Sequence, residues 1–355
     1  MELLALHRIS KDKRYLYLGA SLIVVTIAVI TAAMIGYMDI NAIQVVSIVS
    51  QKIGLTNTTN FSTNQAIVLW NYRLPRILMA LIIGGGLACA GAVLQGLLRN
   101  PLVEPGLIGV SSGAALFAVL FFVLGDQLPN SEALAIYILP IVSFLGAFLV
   151  TFLVYQLSKV NGASNIAFLL LAGIAINALC TSLIGLTLYF ADDDAIRNFT
   201  FWTLGNLSGA SWIKVFISLI LVLIPSILMV RYSKILDALN IGEEVAKQLG
   251  ANVDMAKRML IVLCALVVGC SVAMAGIIGF VGLLVPHLVR ILIGNHHSHV
   301  LIGSMITGGL ALLVADTIGR IIVAPAELPI GIITALVSTP FFLWLLLKSK
   351  KQFAF

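Results

Sequence analysis

The residues best suited to bind a metal are four histidines late in the chain. His296, His297 and His299 crowd into one polar turn, and His287 lies shortly before them. Imidazole is a common metal ligand, but a metal site also needs neighbouring groups that orient each ligand. A histidine-rich turn is a weak signal by itself, so we expect neither a metal site nor a bound cofactor.

Covalent chemistry is not indicated either. The four cysteines (Cys89, Cys180, Cys264 and Cys270) lie within apolar stretches without a CxxC pair, which is typical of small helix-packing residues. An intramembrane hydrolase would need a nucleophile and a base at the same depth, and no such pair can be assigned. No GxxxxGK[ST] nucleotide loop occurs. We therefore predict no catalytic residues.

Charged residues in two places could bind ligands. Asp192, Asp193 and Asp194 could hold a cation, but a solvated loop is the better interpretation. Arg73 and Arg76 flank a proline at the start of one apolar stretch, and Arg320 stands at the end of another. From physics alone these arginines could reach lipid headgroups or pair with Asp316, one turn before Arg320.

Composition defines the elements that must position these residues. Of 355 residues, 60% are hydrophobic and 10% are charged, and the mean hydropathy is +1.09. Soluble domains carry about 25% charged residues. Apolar stretches long enough to cross roughly 30 Å of hydrocarbon recur along the chain. The sequence predicts an all-α, polytopic membrane protein with about ten transmembrane helices in one integral domain, residues 1–355.

The predicted spans are 16–37, 74–98, 106–125, 134–157, 166–190, 212–230, 259–277, 279–294, 300–323 and 330–347. The seventh and eighth could be two full crossings or a re-entrant pair, because glycines and Pro286 interrupt the apolar run from Leu260 to Gly294. Most lysines and arginines fall in the loops that would be cytoplasmic if the N-terminus is inside. This bias predicts that both termini are cytoplasmic.

Small residues spaced four apart predict which helices are central. The second span carries Ala80, Gly84, Ala88, Ala92 and Gly96. The ninth carries Gly303, Thr307, Ala311, Ala315 and Gly319. Small residues let helix backbones approach closely in a membrane. We therefore expect both helices to sit centrally in the bundle.

A polar cytoplasmic segment, 231–258, carries a predicted amphipathic helix. Asn240 and Glu243 resemble a capping box, and Gly250 is a predicted C′ residue. Ile241, Val245 and Leu249 would share one face. The helix could rest on lipid headgroups or dock a cytoplasmic partner.

Four segments form long motifs: RLPRILMALIIGGGLACAGAVLQGLLRNPLVEPGLIGVSSGA (73–114), IGEEVAKQLGANV (241–253), AGIIGFVGLLVPHLVR (275–290) and ADTIGRIIVAPAELPIGIITALVSTPFFLWLLL (315–347). In this order they resemble the FecCD type of permease from bacterial ABC importers of iron–siderophores, haem and cobalamin. The resemblance runs from about residue 15 to 350. It implies a cobalamin-importer-permease-like bundle in the bacterial inner membrane.

The resemblance also implies partners and site residues. It implies a second permease copy, two cytoplasmic ATPase subunits and an outer substrate-binding protein, with no nucleic acid. Arg73, Arg76 and Arg320 would dock the binding protein, and Asn100 and Leu102 would form part of an inner gate. The ATPase would be coupled through the residues Ile241, Gly242, Glu243, Glu244, Val245, Leu249 and Gly250.

One small, mildly polar stripe could line the transport pathway. Gly173, Asn177, Thr181 and Gly185 lie four apart on the fifth span. Such a stripe suits the passage of a bulky chelate, and interhelical hydrogen bonding is an equal alternative.

The function predicted from these observations is ATP-driven import of an iron chelate (ferric siderophore or haem) or cobalamin. The rival is an ion-coupled secondary transporter. It would need ionisable residues deep in the spans, where Asp316 is the one clear candidate.

Overall fold

The computed structural model describes residues 11–36, 38–55, 60–125, 131–160, 163–250, 252–324 and 326–353. Tyr37, the predicted end of the first span, and the basic N-terminal residues up to Ser10 lie outside the described residues. The helices are α1 (Lys11–Met34), α2 (Ala42–Lys52), α3 (Thr63–Leu97), α4 (Val110–Leu124), α5 (Ser131–Leu157), α6 (Ile166–Tyr189), α7 (Asp193–Thr203), α8 (Trp212–Val230), α9 (Ser233–Ile241), α10 (Glu243–Gln248), α11 (Val253–Ala275), α12 (Val281–Ile293), α13 (His297–Ile322) and α14 (Ile330–Phe353). A short antiparallel pair, β1 (Lys159–Val160) and β2 (Ala163–Ser164), joins α5 to α6.

The prediction of about ten apolar helices is confirmed. Among the described residues, seven helices are long and apolar enough to cross a membrane, and three shorter apolar helices are α4, α12 and the Ile330–Trp344 part of α14. The seven and the three together give the predicted ten. The sequence did not predict α2, which begins with a capping box between Asn41 and Gln44.

Helix α3 is the centre of the bundle. In the most apolar stretch of α3, 89% is buried inside the bundle. The most extensive contact of α3 is with the antiparallel helix α13. A Cβ atom on Gly84 would lie 2.3 Å from the carbonyl oxygen of Gly308, and one on Gly308 would lie 2.5 Å from the Cβ of Ala88. The backbones approach this closely only because side chains are absent at both glycines. The predicted role of the α3 stripe is confirmed.

The predicted stripe on α13 faces a different neighbour. Gly303 lies against Val289 of α12, and the Thr307 hydroxyl is 2.7 Å from the Tyr17 hydroxyl of α1. Other residues of α13 meet α3, among them Met305, Gly308, Gly309 and Leu312. The prediction that α13 lies centrally is confirmed, because its most extensive contact is with α3.

Two membrane helices contain a wide, π-helical turn just before a proline. In α3 this turn covers Val68–Arg73 and precedes Pro75, and in α8 it covers Leu219–Leu223 and precedes Pro225. A proline ring collides with the carbonyl four residues earlier in a regular α-helix. The wider turn moves that carbonyl away, so both helices continue past their prolines.

The close approach of α3 and α12 gives a direct test of the packing. A Cβ atom on Gly91 would lie 1.8 Å from the carbonyl oxygen of Gly282. We expect Gly91→Ala to lower the free energy of unfolding by about 1–3 kcal/mol through overpacking. Gly185→Ala is the matched control, because nothing lies within 4 Å of a Cβ there. Thermal unfolding of the purified protein measures both, and equal melting temperatures would contradict the packing described for Gly91.

Candidate functional site

Arg73 closes the C-terminal end of α1. Its guanidinium donates hydrogen bonds to the carbonyl oxygens of Ala33 (2.8 Å) and Met34 (2.9 Å), and to that of Met38. The last carbonyls of a helix have no partners within the helix, and a nearby cation stabilises them. Arg73 is only 5% exposed. Its contacts therefore attach α1 to the beginning of α3.

Arg76 and Arg320 share a buried carboxylate. Asp316 is fully buried, with Oδ1 2.8 Å from Nε of Arg76 and Oδ2 3.2 Å from Nε of Arg320. Arg76 also donates from Nη1 to both carboxylate oxygens of Glu327, at 2.8 and 3.0 Å. Together with Arg73, these four residues form what we call the arginine cluster. It joins α1, α3, α13 and the loop before α14.

The arginine cluster is not an open patch of cations. The side chains of Arg76 and Arg320 are 10% and 9% exposed, whereas that of Glu327 is 39% exposed. Pairing with Asp316, one of the alternatives that the sequence left open, is what the structure shows. Contact with lipid headgroups is wrong for these buried groups. Docking of a binding protein stays a prediction, and it would have to act on a cluster whose arginines already have partners.

At the opposite end of the bundle, the 231–258 segment contains two short helices where one was predicted. Asn240 lies in the last turn of α9 and is not an N-cap, because Gly242 takes an extended conformation and breaks the helix. Gly250 has a φ of +82° and follows Leu249, the C-cap residue of α10, as predicted for a C′ glycine.

The three residues of the predicted apolar face are exposed although the helix is broken. Ile241, Val245 and Leu249 are 73%, 36% and 71% exposed, whereas Ala246 is buried against the body of the segment. Glu243 accepts a 2.7 Å hydrogen bond from Nζ of Lys257. This hydrogen bond lowers the pKa of Glu243, and the charges of Lys257, Lys247 and Arg99 lower it further. Three apolar side chains thus stand exposed on a segment whose polar groups attach it to α11.

The 99–106 loop holds the two predicted gate residues at the surface. The Asn100 side chain accepts a hydrogen bond from the backbone N–H of Leu102 (3.0 Å), and Leu102 is half-exposed. This local hydrogen bond fixes the turn, as asparagine commonly does. The arrangement leaves both residues accessible at the end of α3, and their role as a gate stays a prediction.

Behind this loop, the residues just before α4 contact the beginning of α12, and both helices are short. Helix α4 has 15 residues and α12 has 13, about 22 and 20 Å at 1.5 Å per residue. Glu104 accepts a 3.1 Å hydrogen bond from the backbone N–H of Phe280, the residue before α12, and the ring of Pro105 packs on Gly282. Spans seven and eight are two separate helices, α11 and α12, and the second is too short to cross roughly 30 Å of hydrocarbon unaided. The choice between two full crossings and a re-entrant pair stays a prediction.

Sequence reasoning missed three polar residues at this meeting point. They are Glu104, Gln95 and Arg290. Gln95 donates hydrogen bonds to the carbonyl oxygens of Gly282 (3.4 Å) and Leu283 (3.2 Å). Arg290 donates to the side chain of Gln95 and to the carbonyl oxygen of Ala92. Each is an isolated polar or charged residue within or beside an apolar run, which was the available signal.

The predicted pathway stripe on α6 divides into two parts. A Cβ atom on Gly173 would lie 2.1 Å from the carbonyl oxygen of Leu107, and Asn177 bonds with Ser112 and with the Gly106 carbonyl (3.3 Å). Thr181 is exposed, and open space surrounds Gly185. Interhelical contact therefore explains Gly173 and Asn177, whereas pathway lining stays a prediction for the stripe.

The histidine and aspartate clusters have structural contacts. His296 and His297 each bond to Asp237 at 2.7 Å, and Asp192 caps α7 by accepting from the N–H of Ala195. Within the described ranges, no group of three or more His, Cys, Asp or Glu side chains is arranged to hold a metal ion.

Comparison with known proteins identifies the family. A sequence profile of the FecCD transport family matches residues 23–348. The chain belongs to the FecCD transport family. It is 44% identical to the hemin transport system permease protein HmuU of Yersinia pestis, over 82% of this chain and 87% of that protein.

Other relatives agree with this assignment. The vitamin B12 import system permease protein BtuC of Yersinia pseudotuberculosis is 36% identical over 82% of this chain and 84% of that protein. An inward-facing structure assigned to the metal-chelate type of ABC transporter matches with a TM-score of 0.80 and 31% identity, covering 93% of this chain and 98% of that one. The predicted family and fold are confirmed, and the chain is a multi-pass ABC-transporter permease.

Proposed function

We propose that this chain is the membrane subunit through which a bulky metal chelate, haem or a ferric siderophore, or else cobalamin, enters the bacterial cytoplasm. The relatives named for hemin and vitamin B12 transport support this range of cargo. Both termini and the 231–258 segment are then cytoplasmic, and the arginine cluster lies at the outer face.

The exposed apolar face on α9 and α10 carries the proposal. Ile241, Val245 and Leu249 are large apolar side chains on a polar segment, and each is at least one-third exposed. An apolar helical face of this kind fits a groove on a partner protein. We propose that one ATPase subunit binds this face in each of two permease copies, while a substrate-binding protein docks at the arginine cluster.

The buried carboxylate argues against the ion-coupled alternative. A coupling carboxylate must gain and lose an ion as transport proceeds. Asp316 is fully buried and lies within 3.2 Å of two guanidinium groups, so its charge is already balanced by permanent cations. This pairing favours a structural role for Asp316 over ion coupling.

Purification with the cognate subunits tests the proposal. We expect the permease and the ATPase to copurify in equal numbers, with ATP hydrolysis by that complex and none by the permease alone. Hydrolysis by a preparation free of ATPase, or uptake driven by an ion gradient without ATP, would contradict the proposed division of labour.

A further inference from the structure

One carboxylate joins the cytoplasmic segment to the start of α13. Asp237 of α9 accepts from the backbone N–H of His297 at 3.0 Å and from Nδ1 of the same residue at 2.7 Å. Its second oxygen lies 2.7 Å from Nδ1 of His296. The first N–H groups of a helix lack intrahelical partners. Asp237 therefore caps α13 from another helix, with both carboxylate oxygens engaged.

The geometry shows where the proton lies between Asp237 and His297. A carboxylate can only accept, so Nδ1 of His297 carries the proton in this contact. Burial alone would raise the pKa of Asp237, but the hydrogen bonds from His297 and the nearby imidazoles outweigh it and lower the pKa. Asp237 is thus held ionised beside the positive end of the α13 dipole.

The imidazole of His297 continues the contact into α3. His297 is 1% exposed, and its Nε2 has no hydrogen-bond partner among the described residues. That atom lies against Gly96, where a Cβ would be 2.4 Å away. Gly96 is in the last turn of α3, directly before the 99–106 loop. The ring therefore fills a space that exists only because residue 96 is glycine.

An electrostatic interaction acts beside this contact. The charge of Arg99, in the 99–106 loop, lowers the pKa of Glu243. The 231–258 segment thus meets the end of α3 through Asp237–His297–Gly96, and the charge of Arg99 attracts Glu243 at the same end. Buried, closely packed groups transmit displacement because they have little room to deform.

We infer that Asp237 and His297 form a mechanical link that passes movement of the ATPase-binding segment to the 99–106 loop at the end of α3. The inference rests on the proposed function. Asp237 and His297 are positioning residues in this account, acting on the loop without touching cargo or nucleotide. ATP-driven displacement of α9 pulls the start of α13 through Asp237, and His297 moves the last turn of α3.

Cysteine labelling of the loop tests the link. The four native cysteines are buried, so Leu102→Cys provides one exposed thiol on the permease. We would label the ATPase complex in nanodiscs with a polyethylene glycol maleimide, without nucleotide and with ATP plus vanadate, and read the shift of the permease band. We expect the labelling rate to change with nucleotide in the Leu102→Cys parent.

Two variants should abolish that change by different routes. Asp237→Asn removes the charge of the link, and Gly96→Ala displaces the ring of His297 without altering a polar group. Asp194→Asn is the matched control, because Asp194 is exposed at the start of α7, outside the 231–258 segment. The link predicts that the two variants keep their ATPase but lose the nucleotide-dependent change, while the control retains it.

Three other outcomes would overturn the inference. An unaltered nucleotide-dependent change in both variants would show that the loop moves without the link. Loss of the ATPase from Asp237→Asn would show that Asp237 builds the docking surface. Absence of the ATPase from the parent would overturn the proposed function, and the inference with it.

Discussion

Arg76→Gln is expected to lower the free energy of unfolding of the purified permease by about 3–5 kcal/mol. The substitution leaves Asp316 fully buried with Arg320 as its one remaining cationic partner, and it removes the partner of Glu327. Removing one member of a buried ion pair is costly because the other charge stays desolvated. A thiol-reactive dye can follow thermal unfolding, since all four cysteines are buried in the folded chain.

Arg197→Gln is the matched control for this experiment. Arg197 lies exposed on α7, and exposed substitutions away from special features usually change stability by less than about 0.5 kcal/mol. A melting temperature of Arg76→Gln equal to that of the control would contradict the structural role of the arginine cluster. Capture of the binding protein, measured on folded Arg76→Gln complex, then tests docking separately from stability.

Val245→Asp is expected to prevent copurification of the ATPase. If the face of Ile241, Val245 and Leu249 fills a groove on that subunit, the new carboxylate is buried without a partner. A cost of about 3 kcal/mol corresponds to roughly a hundredfold weaker binding. Copurification stoichiometry measures the loss, while unchanged expression and melting temperature of the permease alone would show that its own fold persists.

Lys247→Gln controls for charge in this experiment. Lys247→Gln and Val245→Asp each lower the net charge by one unit. Lys247 lies two residues after Val245, about 200° around the helix, and so points away from the apolar face. We expect the Lys247→Gln complex to stay intact. If the Val245→Asp complex also stays intact, the apolar face contacts lipid headgroups and the ATPase binds elsewhere on the permease.

The sequence was most informative where one strong physical requirement acts alone. Hydrocarbon crossing demands long apolar runs, so the ten helices could be predicted from hydropathy. Close helix approach demands small residues, and the Gly84–Ala88 region of α3 does lie against α13. Left-handed backbone favours glycine, and Gly250 has the predicted conformation.

Where several solutions satisfied the same pattern, the sequence did not decide between them. Helix α13 has small residues on more than one face, so their spacing did not show which face meets α3 and which meets α1 and α12. The Asn240–Glu243 pattern fits a capping box, but Gly242 interrupts the helix between them. Some residues pair across the fold, such as Arg76 with Glu327 and Glu104 with Phe280. These pairs depend on distances in the folded chain, which the local spacing of residues does not reveal.

We propose that this chain conducts a metal chelate into the cytoplasm when partner subunits hydrolyse ATP. The most direct test of this proposal is uptake by proteoliposomes that contain the permease, its ATPase and its binding protein. The probes are labelled hemin, a ferric siderophore and cyanocobalamin. The account predicts that at least one accumulates inside only when ATP is available to the ATPase, and that Val245→Asp abolishes its accumulation. Accumulation that proceeds equally without ATP, or none of any probe by a complex that hydrolyses ATP, would contradict it.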